Sequence, residues 1–588
     1  MDRKGTKVLN LFGFLKNKTA KNTYVTNDYN KDEIEEFKNL YNPVENKTLD
    51  DEQISSIVSN SHNTLVIASA GSGKTTTIIG KIKYLILKYN VLPEEILVLS
   101  FTNASAKEMK SRITKELNLE INASTFHKLG LEIIKKASEH LPNIYTDSSE
   151  VLILNIVNKL LNNCEYLVNF IDYFCEENKV QIFLYAFSVS FQYDEVNNEF
   201  YLISYDVFIT FKKEKNKIHF KNSLIDLYNE LTYLNVKLKL RDYNYIWKLL
   251  NISTNMTYNI ITYFLTLISL VKSNSLSNVE FSKRYDKTIS SLFIPVITSY
   301  NEYLKDNNMI DFNDMINLST KLIKENKYIH NYKYVIVDEY QDISIARYNL
   351  LKAMRNQKDY DLFCVGDDFQ SIYRFSGSQI NLITNFEDFW GETMVGRISR
   401  TYRFSDTLAK ISSSFVMKNP SQLRKNIIGL PSDIFPLEMI YSIKELKSVL
   451  NSLPLYSTVY FLGRYNNDLD IIRSDNSFSI VYNNGMEIIY SKRIDLVITH
   501  LTIHKSKGLQ SDYVFILNNK ADGSSFPSKI KDDEIVYTLL DNTDEYPYSE
   551  ERRLFYVGLT RSKKKTYLLV DKNSESIFIE ELKKNYKL

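Results

Sequence analysis

Glycine is scarce in this chain, with 16 in 588 residues, and proline scarcer still at 10. No glycine occurs from Leu131 to Val365 and no proline from Asn143 to Ile294. A stretch of that length without either breaker reads as mostly helical. The exception is Glu199 to Phe220, where alternating aromatic and β-branched residues around Lys212 to Lys217 predict a hairpin. Cysteine is nearly absent. Cys164, Cys175 and Cys364 form no CxxC pair and sit at no zinc-ligand spacing, so they read as buried thiols in a reducing compartment. Charge of either sign is not in excess: Lys+Arg 73 balance Asp+Glu 71, which confines any nucleic-acid surface to a local patch. No apolar run is long. The stretch Ile260 to Val271 cannot span a bilayer, and Val8 to Leu15 lacks a small-residue cleavage site. A cytoplasmic protein without membrane association is expected.

Apolar material is ample at 44%, and the length suggests several domains rather than one core. Short β-branched runs recur at Thr64–Ser69, Ile96–Ser100, Tyr334–Asp338 and Leu362–Val365. A second series follows at Thr458–Leu462, Leu496–Thr499, Tyr513–Leu517 and Tyr567–Val570. Runs of this kind between helical patterns are what parallel strands buried on both faces look like. The fold class is therefore α/β, with two parallel-sheet domains and a mostly helical insertion in the first.

Ala68-Ser-Ala-Gly-Ser-Gly-Lys-Thr75 lies between a predicted strand and a predicted helix. Successive N–H groups in such a turn wrap phosphates, and the helix start adds a positive dipole end. The expected nucleotide contacts are Ala70, Gly71, Ser72, Gly73, Lys74, Thr75 and Thr76. Lys74 would neutralise the β- and γ-phosphates of ATP, and the Thr75 hydroxyl would ligate Mg²⁺. The first glycine of the strict pattern is replaced by Ala68. Downstream, Val335-Ile-Val-Asp338-Glu339 ends a predicted strand with two carboxylates. Asp338 suits Mg²⁺, and Glu339 suits the base that orients the attacking water. Gln370, just past the next strand, is placed to sense the γ-phosphate, and Phe375 to meet a base.

In this order the pieces resemble the UvrD/Rep family of superfamily 1 helicases, and within it the helicase IV-like branch. The likeness rests on Asp338-Glu-Tyr-Gln-Asp-Ile-Ser344, Tyr373-Arg-Phe-Ser-Gly377, Thr401-Tyr-Arg-Phe404, Lys507-Gly-Leu-Gln-Ser-Asp-Tyr513 and Ser549-Glu-Glu-Arg-Arg-Leu-Phe-Tyr-Val-Gly-Leu-Thr-Arg561. It extends from about Leu49 to Lys565 and thins between roughly Leu131 and Met309. Ser376 and Gln510 stand where many members carry arginine and glutamate, choices shared by the helicase IV-like branch.

The resemblance implies two RecA-like motor domains and assigns roles by position. Gln53 would read adenine, Tyr402 would stack on it, and Gln510 would lie near the ribose. Arg403 and Arg561 would face the γ-phosphate from the second motor domain, so hydrolysis would require domain closure. The strand track would involve Thr102, Asn103, Thr125, Phe126, His127, Phe375, Thr502, His504 and Lys505. Single-stranded and tailed duplex DNA are the expected partners, with movement 3′ to 5′. Domain limits are read as a basic extension 1–45, a first motor domain 46–130 and 306–392, an enlarged helical insertion 131–305, and a second motor domain 393–588. Too little chain lies between Arg464 and Leu501 for the large second insertion of the family. The unmatched 131–305 insertion and the lysine-rich start are the candidate surfaces for a protein partner. Two other readings stay open: an ATPase sensor or loading subunit of a repair or phage-defence assembly, and an RNA motor.

Overall fold

The computed structural model describes residues 31–586 except 139–140, 176–178, 198, 204–206, 215–216, 221–222, 251–255, 483–485, 522, 524, 531–532 and 541–543. Residues 1–30, most of the expected basic extension, lie outside that set. The chain divides into a helical unit spanning 138–317 and a unit holding both large sheets.

The first sheet has six parallel strands. Their order is Met394–Ile398, Asn63–Ala68, Asp361–Gly366, Tyr334–Val337, Ile96–Ser100 and Asn122–Thr125. Asn63–Ala68 and Ile96–Ser100 are buried at every residue, which explains their unbroken apolar runs. Sequence order and spatial order differ, so the strand tips at Ala68, Val337 and Gly366 come together at one carboxyl edge. Sites on open parallel sheets form at such an edge.

The second sheet has seven strands in the order Leu437–Ile440, Ser562–Val570, Ser511–Asn519, Thr458–Gly463, Val497–Thr502, Met486–Tyr490 and Phe478–Tyr482. The first five are parallel, and the last two form an antiparallel pair that extends the edge. Together with the short helix Asp470–Arg473, that pair occupies the segment after Arg464. Thus α/β architecture with parallel sheets and helices is observed.

Three of the expected limits move. Met394–Ile398 lies beyond the expected break at 392/393, yet it pairs with Asn63–Ala68. Its Gly396 and Arg397 interrupt the apolar run, which is why the pattern hid it. The helix Phe126–Ala137 runs through the expected break at 130/131, burying Leu129, Ile133 and Ile134 along one face. Met309–Ile310 pairs with Asn143–Ile144 and so belongs to the helical unit, which closes near 317 instead of 305. Part of the expected basic extension is core: Phe37 in the helix Lys31–Leu40, and Tyr41 and Val44 after it, pack with the first sheet.

The helical unit is built on long helices, including Met256–Ser273 and Lys287–Asp306, around Phe170, Phe183, Phe264 and Phe293. Within it Lys272 is buried and donates to Asp311 at 2.7 Å and Asp314 at 2.9 Å. The hairpin expected near Lys212–Lys217 forms, with Val207–Glu214 pairing Lys217–Phe220, and a second hairpin enlarges it to four strands. Among the described residues no single helix is long and apolar enough to cross a membrane.

Candidate nucleotide and nucleic-acid site

The phosphate loop leaves the strand Asn63–Ala68 and enters the helix Lys74–Tyr89. Gly71 and Gly73 both take left-handed backbone angles, φ 75° and 83°. A Cβ on Gly71 would lie 2.5 Å from Arg403 Cβ and 2.9 Å from Thr401 Oγ1. That closeness has a cause: the loop is clasped from the second half of the chain. Thr401 Oγ1 donates to the Ala70 carbonyl at 2.7 Å, and Tyr402 N–H donates to the Gly71 carbonyl at 2.9 Å. With those carbonyls occupied, the loop's N–H groups can face inward. The hydroxyls of Ser69 and Ser72 are buried without a protein partner. Buried polar atoms without partners are rare, and here they lie where a phosphate would supply one.

Gln53 and Tyr402 share a partner in Asp50. Asp50 caps the helix Asp51–Val58 by accepting from Gln53 N–H at 2.9 Å, and its own N–H donates to Gln53 Oε1 at 3.1 Å. Gln53 Nε2 then donates to the Ser72 carbonyl at 3.3 Å. The Tyr402 hydroxyl donates to Asp50 at 3.3 Å while its ring stays 48% exposed, available for stacking. The Thr76 hydroxyl points elsewhere. It donates to Glu45 at 3.2 Å and accepts from Arg112 at 3.0 Å, so only its N–H remains for the loop.

At the next strand tips, Glu339 takes a left-handed conformation (φ 52°) and its carboxylate stands 3.7 Å from Lys74 Nζ. Burial would push Glu339 up, but Lys74 and Lys507, with a hydrogen bond from Gln341, outweigh it and hold the group at about 2. Asp338 is pushed the other way, by burial and by the Glu339 charge beside it. Asp338 accepts from the Glu339 N–H at 2.9 Å, and Thr75 is the second residue of the helix Lys74–Tyr89. Among the described residues no cluster of three or more His, Cys, Asp or Glu forms a protein-only metal site. A hydroxyl and a carboxylate are oxygen donors of the kind a hard divalent cation takes, so Thr75 and Asp338 fit one by their chemistry.

Gln370 is the meeting point of the two halves. Its Nε2 donates to Asp367 at 2.5 Å, and its Oε1 accepts from Arg561 at 3.3 Å. Arg561 is completely buried and also donates to the Val557 carbonyl at 2.9 Å. Arg403 donates to Gln510 at 3.1 Å and to the Thr560 carbonyl at 3.4 Å. Gln510, expected near a ribose, is thus engaged by Arg403. Burial lowers the pKa of both guanidiniums, and Arg403 lowers that of Arg561 further. One buried and one half-buried guanidinium, neither in an ion pair among the described residues, make a pocket suited to a polyanion.

The expected strand contacts separate into two sets. Phe375 is 57% exposed, with the His504 ring edge-on at 5.5 Å, beside Tyr373, which stacks on Phe101 at 5.3 Å. Burial and then Arg464 pull His504 down to about 4, so it joins this cluster as a neutral ring. Thr102 and Thr502 cap helices, accepting from Ser105 N–H at 3.1 Å and Lys505 N–H at 3.4 Å. Asn103 and Lys505 are exposed, and His127 is half-buried. Phe126 and Thr125 are not surface groups. Phe126 is 4% exposed with Arg347 5.9 Å from its ring, and Thr125 accepts from Lys128 N–H at 3.3 Å. Phe126 follows the helical spacing of Leu129 and Ile133, so it packs inward as a core residue.

Pattern reading missed three connecting residues. Thr401 holds the phosphate loop. Gln341 holds Glu339 and accepts from Asp367 N–H at 2.9 Å. Lys507 pairs with Asp342, donates to the Gln370 carbonyl at 2.7 Å and lies 4.9 Å over the Tyr373 ring, joining pocket to aromatic cluster. All three lie inside the quoted motifs, which was the only signal available.

Residues 49–390 match the family described as the UvrD/REP helicase N-terminal domain. The chain is 27% identical to DNA helicase IV of Escherichia coli (strain K12) over 568 residues, covering 94% of this chain and 73% of that protein. It is 24% identical to a probable DNA helicase of Mycoplasma pneumoniae over 89% of this chain and 83% of that protein. It is also 28% identical to the ATP-dependent DNA helicase Rep of Buchnera aphidicola (subsp. Acyrthosiphon pisum) over 62% of this chain, which spans only 44% of that relative's length. With more than half of the chain matched to the family and the pocket assembled around its motifs, the chain is an enzyme of the UvrD/REP helicase family.

Proposed function

We propose that this chain is an ATP-dependent DNA helicase that translocates on single-stranded DNA in the 3′ to 5′ sense, using two RecA-like motor domains. The observation that carries the reading is the joint ownership of one pocket. Lys74, Glu339 and Gln370 come from the first sheet, Arg403 and Arg561 from the second half, and Arg561 donates to Gln370. Thr75 and Asp338 would hold Mg²⁺, which would supply positive charge against the phosphates. Glu339, kept ionised by Lys74 and Lys507, orients the attacking water. The two guanidiniums take up charge that develops on the transferring phosphoryl group, a role worth roughly 10³–10⁵ in rate.

Movement follows from position. Lys507 touches Gln370 on one side and Tyr373 on the other, so the state of the nucleotide reaches the aromatic cluster through one side chain. Stacking of a base on Phe375 contributes on the order of 1–3 kcal/mol, comparable to a mean duplex step of about 1.4 kcal/mol. One ring can therefore hold a base through a step without trapping it.

The test is ATP hydrolysis by the full chain with no nucleic acid, single-stranded DNA or single-stranded RNA, followed by unwinding of 3′- and 5′-tailed duplexes. Stimulation by DNA with unwinding of the 3′-tailed substrate is expected. Stimulation by RNA alone would replace the DNA reading, and unwinding from the 5′ tail alone would reverse the polarity.

A further inference from the structure

Beside the turn that carries Gln370 lies a buried charge cluster with no part in the chemistry above. Asp367 and Asp368 follow the strand Asp361–Gly366, and both are completely buried. The Lys425 ammonium bridges the two carboxylates, its side chain only 7% exposed. Lys425 comes from the far side of the pocket, between the helix Asp406–Val416 and the strand Ile428–Leu430. Its neighbourhood is fixed twice more. The ammonium lies 4.0 Å over the Phe369 ring, and Leu423 N–H donates to Asp368 at 2.8 Å.

Asp367 is the node of this cluster. One carboxylate oxygen takes Lys425, and the other accepts from Gln370 Nε2. Its backbone N–H reaches Gln341, which donates to Glu339. Burial would raise the Asp367 pKa, yet the Lys425 and Lys74 ammoniums hold it below the usual carboxylate range. Two adjacent carboxylates sharing one cation away from water form a poor device for stability, because desolvation of a buried pair rivals its attraction. What such a cluster does well is fix orientation. With Asp367 locked by Lys425, the Gln370 amide keeps its nitrogen toward Asp367 and its oxygen toward Arg561.

We propose that Lys425 is a positioning residue for ATP hydrolysis: through Asp367 it sets the Gln370 amide and ties it to the second half of the motor. This rests on the ATP-driven function proposed above. The experiment is steady-state ATP hydrolysis by the full chain with saturating single-stranded DNA, comparing wild type, Lys425→Met, Asp367→Asn and the double variant. Each single variant is expected to lower kcat about tenfold or more while KM for ATP stays within about twofold, since a misaligned group costs turnover and not ground-state binding. The double variant is expected to lose no more than the worse single one, as residues acting in one chain are not additive. Thermal unfolding reports whether Lys425→Met folds. If it does not, Asp367→Asn decides, because it removes a buried charge without changing size. Turnover within about twofold of wild type in Asp367→Asn, or a raised KM at unchanged kcat, would overturn the proposal. A wild-type chain that hydrolyses no ATP with or without DNA would remove both readings, whereas an active wild type with unimpaired variants removes this one alone.

Discussion

The nucleotide pocket and the aromatic cluster lie on the same unit but are built on opposite terms. In the pocket, the functional groups are polar or charged, buried or half-buried, and each is held by another: Glu339 by Gln341, Gln370 by Asp367, Arg561 by Val557 and Gln370. In the cluster the working group, Phe375, is mostly exposed and held by packing alone, while several polar neighbours are spent on helix caps. Chemistry on a phosphoryl group needs fixed dipoles away from water. Tracking a strand needs contacts that form and break with each step.

This contrast sets the sizes of the expected effects. Glu339→Gln should lower turnover by roughly 10³-fold or more with nucleotide binding retained, and Arg403→Ala should fall in the same range. Steady-state hydrolysis beside equilibrium binding of a fluorescent nucleotide separates the two terms. Phe126→Ala should lower stability by about 3–5 kcal/mol, because the ring is core; denaturant unfolding reads this directly. Phe375→Ala should leave stability and DNA-independent hydrolysis unchanged and weaken single-stranded DNA binding by about 1–3 kcal/mol. A Phe375 variant with lost stability and intact binding would reverse the assignment of the two rings. Smallest of all, Lys505→Ala should lower the salt dependence of single-stranded DNA binding by a slope of about 0.7, the share of one phosphate.

Legibility divides along the same line. Lys74, Asp338, Glu339 and Gln370 could be read from sequence because each follows a continuous apolar strand, and strand tips of one parallel sheet converge. Phe126 could not be told from Phe375, since both are aromatic residues expected on the strand track and only packing separates 4% from 57% exposure. Met394–Ile398 escaped because Gly396 and Arg397 break its pattern, and an edge position tolerates that break. Thr76 shows a further limit. Its place in the loop was visible, but the distant Glu45 and Arg112 that claim its hydroxyl were not. The helical unit was foreseen from its missing glycine and proline, yet its limits followed helix continuity and a two-residue strand pairing that no composition reveals.

The grip of Thr401 and Tyr402 on the carbonyls of Ala70 and Gly71 bears on how the chain can be divided. A fragment ending at Ser399 would keep every strand of the first sheet and every residue of the phosphate loop. It would still lose both donors, each worth about 1 kcal/mol, and with them the inward set of the loop. Keeping the whole first sheet is therefore not the same as keeping the set of its phosphate loop. The candidate site draws on residues that follow strands of the first sheet and on residues from the second half of the chain.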